Sequence, residues 1–172
     1  QRLILADLDN DFEESQGIPS SVSPAGMTAP CQAADLDAIV FGSAGIGLLE
    51  NRYESGEKRR ELLPRTIETS LDSQRPVRTC DVADLDGDGD LDLVVLRSGA
   101  VQLWANRGGM DFYDISSRSV LPEGGSANVI LIGDRDFDVD QDILLIGGNT
   151  NGVLENLRHG RFHWRSIVNH VQ

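Results

Sequence analysis

The sequence predicts an all-β protein made of three four-stranded antiparallel blades of a β-propeller. The first observation is an internal repeat with steps of 55 and 50 residues, seen in two sets of polar positions, Asp37, Asp92 and Asp142, and Asn51, Asn106 and Asn156. The second is a set of four short apolar runs in each repeat, and the third is the absence of any helical, 3.6-residue period. Four short strands recurring about every 50 residues are typical of propeller blades.

The runs are clearest in the second repeat, where strands are predicted at residues 77–83, 91–96, 101–105 and 110–115. Gly-rich connections at 98–99 and 107–109 predict hairpins between them. The runs 93–96 and 143–146 are continuously apolar, which is typical of strands buried on both faces. Aromatic residues such as Trp104 fall on the outer strands and are expected to pack between blades.

The repeat boundaries place blade 1 at residues 1–72, blade 2 at 73–122 and blade 3 at 123–172. Blade 1 is longer because residues 12–34, rich in Ser, Pro, Gly and Ala, are inserted into it, and we expect them to form a long surface loop. Three blades do not close a ring, since about four to eight are usual. We therefore expect a piece of a larger propeller, and the alternative is a ring completed by association of copies.

The composition and charge of the chain limit the classes of partner that it could bind. The chain has 172 residues, of which 40% are apolar, so it can bury a core. A net charge of −13 argues against nucleic acid as a partner, since phosphate binding needs Lys and Arg. No apolar run reaches the roughly 20 residues that span a bilayer. Cys31 and Cys80 are compatible either with one disulfide in an oxidising compartment or with two buried thiols.

The second repeat carries an aspartate-rich loop, DLDGDGDLD, at residues 84–92. Calcium takes about six to eight oxygen ligands in a flexible shell, which a tight loop supplies from alternate side chains and a backbone carbonyl. Magnesium fits less well, because it prefers a strict octahedron with retained waters. Gly89 is expected to take the positive-φ turn around the ion. The predicted ligands are the carboxylates of Asp84, Asp86, Asp88 and Asp92 and the main-chain oxygen of Asp90.

The third loop keeps every acidic position of the second, at Asp134, Asp136, Asp138, Asp140 and Asp142. Phe137 and Val139 replace its two glycines, and a β-branched residue is costly at positive φ. We therefore expect either weak calcium binding or a changed loop shape.

The first loop is interrupted by the insertion. Asp7, Asp9 and Asp11 precede it, and Asp35 and Asp37 follow it. The carboxylates are expected to converge if the insertion leaves and returns at the same point, because closing such an excursion costs only modest entropy.

No nucleophile and base pair, nucleophile elbow or phosphate-binding glycine loop is visible in the sequence, so we do not expect an enzyme. We expect a binding or scaffold module with structural calcium, whose protein or carbohydrate ligand the sequence does not identify. Two alternatives stay open. One is part of a propeller enzyme with its site in the central channel, and the other is a purely structural spacer of a surface protein.

The line DVADLDGDGDLDLVV and the following LWANRGGMDFYDIS resemble the repeats called VCBS or FG-GAP, the calcium-bearing blades of integrin-α-type propellers. They are also similar to blades found beside bacterial ASPIC/UnbV domains. The resemblance implies a seven-bladed ring with calcium held between the first two strands of each blade. It also implies a secreted, periplasmic or cell-surface setting and a role in binding or adhesion.

Overall fold

The structure, a computed structural model, describes residues 1–10, 12–14, 32–34, 36–54, 59–65, 75–124 and 126–167. Its regular structure is almost entirely β. Three four-stranded sheets follow one another along the chain, and every neighbouring pair of strands in them is antiparallel. The predicted all-β fold of three blades is therefore confirmed, and the three sheets do not close into a ring.

Each sheet is one blade. Sheet 1 has the order β1 (Arg2–Ala6), β4 (Asp37–Gly42), β5 (Gly45–Glu54) and β6 (Arg59–Arg65). Sheet 2 consists of β7 (Val77–Ala83), β8 (Asp92–Arg97), β9 (Ala100–Asn106) and β10 (Phe112–Asp114), followed by a short 3-10 helix (Ser116–Arg118). Sheet 3 consists of β11 (Val129–Gly133), β12 (Asp142–Ile146), β13 (Gly152–Asn156) and β14 (Phe162–Ser166). The observed strands of sheet 2 follow the predicted runs closely.

The core lies between the blades. One apolar cluster joins sheets 1 and 2 and includes Ile39, Leu93 and Trp104, as predicted for this aromatic residue. A second cluster joins sheets 2 and 3 and includes Val94, Ile143 and Phe162. Side chains alternate between the two faces of a strand, so β8 contributes to both clusters and its apolar run is fully buried.

The matching run on β12 is buried on one face only. Ile143 and Leu145 are fully buried, but Leu144 is half-buried and Ile146 is exposed. The prediction of burial on both faces is wrong for this strand. The reason is that sheet 3 has a neighbouring blade on one side only within the described chain.

The insertion in blade 1 begins and ends with strands instead of an irregular loop. β2 (Phe12–Glu14) and β3 (Gln32–Ala34) form a separate antiparallel pair in which Phe12 lies opposite Ala34. The prediction of a long surface loop is therefore corrected at its two ends, and residues 15–31 lie outside the described residues. The pairing returns the chain to the point where it left sheet 1.

Cys80 has a free thiol buried between sheets 1 and 2. Burial raises its pKa to about 12, with a further contribution from the negative charge of Asp81, so the thiol stays protonated at neutral pH. Cys31 lies outside the described residues. Among the residues that the structure describes, no helix is long and apolar enough to cross a membrane.

Candidate metal centre

The loop between β7 and β8, residues 84–92, brings three carboxylates together. One oxygen from each of Asp84, Asp86 and Asp88 lies within 4.8 Å of the others. The backbone N–H groups of Gly87 and Gly89 donate to the two oxygens of Asp84 at 2.8 and 3.1 Å, which curls the loop around this residue. The loop therefore presents carboxylates from its first, third and fifth positions to one point.

The protein does not fully offset the negative charge of these carboxylates with hydrogen bonds or cations of its own at Asp86. Asp86 Oδ1 is buried and has no hydrogen-bond partner in the described chain. Burial raises the pKa of Asp86, and the negative charges of Asp88 and Asp84 raise it further. A buried carboxylate oxygen without a partner, surrounded by like charges, is destabilising unless a cation is present. The donor set and its spacing fit a hard cation with oxygen ligands.

Asp92, the ninth position, lies outside this group of three. It is fully buried, and its Oδ2 accepts the backbone N–H of Leu85 at 2.7 Å while Oδ1 accepts that of Asn106 at 2.8 Å. Burial raises its pKa to about 7, against these two hydrogen bonds, which lower it. These two bonds join the start of the loop to the end of β9. The role of Asp92 as a calcium ligand stays a prediction.

Both of these backbone bonds recur in blade 1, and blade 3 keeps the bond to the end of the third strand. In blade 1, Asp37 accepts the N–H of Leu8 at 2.9 Å and that of Asn51 at 2.8 Å. In blade 3, Asp142 Oδ1 accepts the N–H of Asn156 at 2.9 Å, while Oδ2 lies 3.4 Å from the guanidinium Nε of Arg135. The repeated aspartate therefore has a shared structural function.

The third loop has nearly the same shape as the second. Oxygens of Asp134, Asp136 and Asp138 lie within 4.8 Å of one another, and the N–H of Val139 donates to Asp134 as that of Gly89 donates to Asp84. Of the two alternatives, the changed shape is therefore not observed. Asp140, at the seventh position, has both oxygens buried without hydrogen bonds, and Arg158 Nε lies 3.5 Å from one of them. Burial raises the pKa of Asp140 to about 6.

The third loop keeps its shape at the cost of backbone strain at two residues. Phe137 and Val139 have φ values of 65° and 77°, and their side chains are about nine-tenths exposed, at 90% and 89%. Neither residue gains packing that would offset the steric strain of positive φ, which is about 1–2 kcal/mol for an ordinary residue.

We expect Val139→Gly to raise the free energy of unfolding by about 0.5–1 kcal/mol, because relief of the strain exceeds the entropic cost of glycine. The reciprocal change, Gly89→Val, should lower it by about 1 kcal/mol or more. A Cβ at Gly89 would meet nothing within 4 Å, so the backbone alone determines this effect. Urea unfolding in EDTA measures both, and a destabilising Val139→Gly would contradict the interpretation.

The first loop converges despite the insertion. Asp7, Asp9 and Asp37 each place one oxygen within 4.8 Å of the others, as the pairing of β2 with β3 allows. Asn10 has a φ of 54° and donates its N–H to Asp7 at 3.0 Å, as Gly87 does to Asp84. Asn tolerates positive φ better than most residues, so this half of the loop keeps the shape of loop 84–92. Asp11 lies outside the described residues.

Further contacts connect successive loops. The side chain of Asn10 donates to Asp90 Oδ1 at 2.5 Å, so the seventh position of the second loop binds the first loop. The side chain of Asn106 donates to the carbonyl of Leu8 at 2.6 Å, and Asn156 donates to that of Leu85 at 3.1 Å. Sequence analysis missed these connections between blades, although the repeated asparagine was their signal.

Three successive four-stranded blades with an aspartate loop between the first and second strands define a β-propeller-type module. Residues 84–145 match the family model described as the FG-GAP-like repeat. This part of the chain is a repeat of the FG-GAP type, from its second aspartate loop to the second strand of blade 3. No curated protein matches the chain. The closer similarity to VCBS blades and to those beside ASPIC/UnbV domains stays a prediction.

Proposed function

We propose that the chain is a calcium-binding β-propeller module with a binding or scaffold role and no catalytic function. The observation that supports this most is the convergence of three carboxylates in each of three successive loops. Blades 2 and 3 use the first, third and fifth positions of the loop, and blade 1 uses the first and third positions together with Asp37, the counterpart of Asp92. Exposed acidic groups are common without an ion. The partnerless, buried oxygen of Asp86 and its raised pKa are what favour a bound cation in the second loop.

In this proposal, each loop contributes the carboxylates that it brings together. Asp84, Asp86 and Asp88 hold calcium in blade 2, and Asp134, Asp136 and Asp138 hold it in blade 3. Asp7, Asp9 and Asp37 hold it in blade 1. The main-chain oxygen of Asp90 adds a further ligand in blade 2. Asp92 positions the second loop through its bonds to the N–H groups of Leu85 and Asn106, and Asp142 contacts the third loop through the guanidinium of Arg135.

Calcium would act as a structural ion. It would neutralise the repelling carboxylates and hold each loop against the first and second strands of its blade, so that metal affinity and folding are linked. Extracellular modules bind calcium at about 10⁻⁴–10⁻³ M, which suits a permanent structural ion. We therefore propose a secreted, periplasmic or cell-surface location, where calcium is abundant, and an adhesion or scaffold role towards a protein or carbohydrate.

Isothermal titration calorimetry of the EDTA-stripped, dialysed chain tests the proposal. We expect one calcium ion for each of the three carboxylate groups, with weaker binding in the more exposed third loop. Asp86→Asn should remove one ion from the stoichiometry. Asp111→Asn removes the same charge from an exposed residue outside the loops and should remove none. A chain that takes up no calcium at millimolar concentration would contradict the proposal.

A further inference from the structure

The carboxamide of Asn106 connects the first aspartate loop to the second. It donates to the carbonyl of Leu8 at 2.6 Å and to that of Leu91 at 3.3 Å. Leu8 lies between Asp7 and Asp9, two of the converging carboxylates of blade 1, and Leu91 is the eighth position of the second loop. The asparagine is almost fully buried, so water does not compete for either bond.

Asn156 makes the same connection one blade later. Its carboxamide donates to the carbonyls of Leu85 and Gln141, both at 3.1 Å. Leu85 lies between Asp84 and Asp86 in the second loop, and Gln141 is the eighth position of the third. Since one carboxamide carries two N–H donors, each of these asparagines holds two neighbouring loops at once. The second loop is therefore bonded to the loop before it and to the loop after it.

The first and second loops share a further bond that the second and third loops lack. Asn10, the fourth position of the first loop, donates its side-chain N–H groups to Asp90 Oδ1 at 2.5 Å and to the carbonyl of Gly89 at 3.4 Å. The fourth position of the second loop is Gly87, where a Cβ would meet nothing within 4 Å. Asp140, the counterpart of Asp90, has both oxygens buried without hydrogen bonds in the described chain.

We propose that neighbouring loops bind calcium cooperatively, and that these asparagine side chains carry the coupling. The inference rests on the proposed function of the loops. A bound ion orders its loop and fixes the carbonyl that the asparagine contacts. The asparagine then restrains the next loop, so less ordering entropy opposes the second ion. The coupling is reciprocal, and it is stronger between the first and second loops, which two asparagines join, than between the second and third.

Isothermal titration calorimetry of chains with one or two working loops measures the coupling. Asp136→Asn disables the third loop and leaves the first pair. Adding Asp86→Asn or Asp9→Asn then leaves a single loop. We expect the pair to bind its two ions about five-fold or more tightly than the two single-loop affinities together predict. Asp9→Asn alone leaves the second and third loops, for which the factor should be smaller.

A reciprocal exchange at the fourth loop position tests the role of asparagine. Asn10→Gly removes the bond to Asp90 but keeps the backbone N–H that bonds Asp7, and Gly87→Asn supplies a donor for Asp140. The φ values, 54° and 82°, suit both residue types. Asn10→Gly should lower the coupling of the first pair by about two- to ten-fold, the contribution of one hydrogen bond, and Gly87→Asn should raise that of the second pair similarly.

Gly124→Asn is the matched control, because Gly124 also has a positive φ, 58°, and open space around it but lies outside the loops. It should leave the coupling unchanged. Asn106→Leu removes both donors of the buried carboxamide and should lower the coupling of the first pair as well, with circular dichroism to check folding. The changes at Asn10 and Gly87 are at exposed positions, so they test the proposal even if Asn106→Leu does not fold.

The outcomes separate the coupling from the proposed function. Two loops that bind calcium with their single-loop affinities would overturn the coupling and leave calcium binding intact. A coupling that Asn10→Gly and Asn106→Leu both leave unchanged would overturn the role of the asparagines. A chain that takes up no calcium would overturn the coupling and the proposed function together.

Discussion

Asp92→Ala is expected to lower the free energy of unfolding by about 2–4 kcal/mol, because it leaves two buried backbone N–H groups without acceptors. These groups belong to Leu85 and Asn106, which lie on either side of the fully buried carboxylate. Part of the loss is offset, since removing Asp92 also relieves the burial that raises its pKa to about 7. For a chain of this size, the melting temperature should fall by roughly 5–15 °C.

Thermal and urea unfolding in EDTA measure this effect without any contribution from metal. Asp111→Ala is the control, because the side chain of Asp111 is exposed and the residue is held in its turn by backbone bonds to Arg107 and Gly108. It should change stability by less than about 0.5 kcal/mol. A loss below about 1 kcal/mol for Asp92→Ala would show that the joint between the loop and β9 does not support the blade.

Calcium is expected to raise the melting temperature substantially. At about 10 mM calcium, a site with a dissociation constant of about 10⁻⁴–10⁻³ M stabilises the folded state by about 1.4–2.7 kcal/mol. Each filled loop should therefore add roughly 3–10 °C. Magnesium at the same concentration should do less, since it gives up its waters reluctantly and needs a stricter octahedron.

Screening of the net charge of −13 is the main competing effect, because any salt reduces repulsion among exposed carboxylates. Sodium chloride at matched ionic strength is therefore the control, and it should produce only a small part of the rise. Equal effects of calcium, magnesium and sodium would indicate that the loops respond to ionic strength alone.

Much of the fold was predictable because two independent signals coincide in this sequence. Repeats of Asp and Asn give the blade length, and apolar runs such as 93–96 give the strands. Burial was less predictable, since Ile146 is as apolar as its counterpart Leu96 but is exposed. A residue on the face of a blade is buried only where a neighbouring blade covers it, and the local sequence pattern carries no information about that neighbour.

The sequence was enough to predict which loop carries the candidate metal site and which of its carboxylates converge. Asp84, Asp86 and Asp88 converge as their alternate spacing predicts. The bonds of Asp92 were not predictable, because its two donors come from Leu85 and Asn106, whose approach depends on the tertiary arrangement of the loop and β9. The strands at the two ends of the insertion were missed because each has only three residues, too few for a clear alternation.

The central claim is that Asp86 binds calcium whereas Asp92 supports the fold of the loop. The most direct test is the melting temperature of Asp86→Asn and Asp92→Asn, each in EDTA and in calcium. Asp86→Asn should melt in EDTA at or above the wild-type temperature, because it relieves repulsion, and should lose the share of the calcium shift that comes from loop 84–92. Asp92→Asn should melt lower in EDTA and keep a calcium shift. A full calcium shift in Asp86→Asn, or its loss only in Asp92→Asn, would contradict the account.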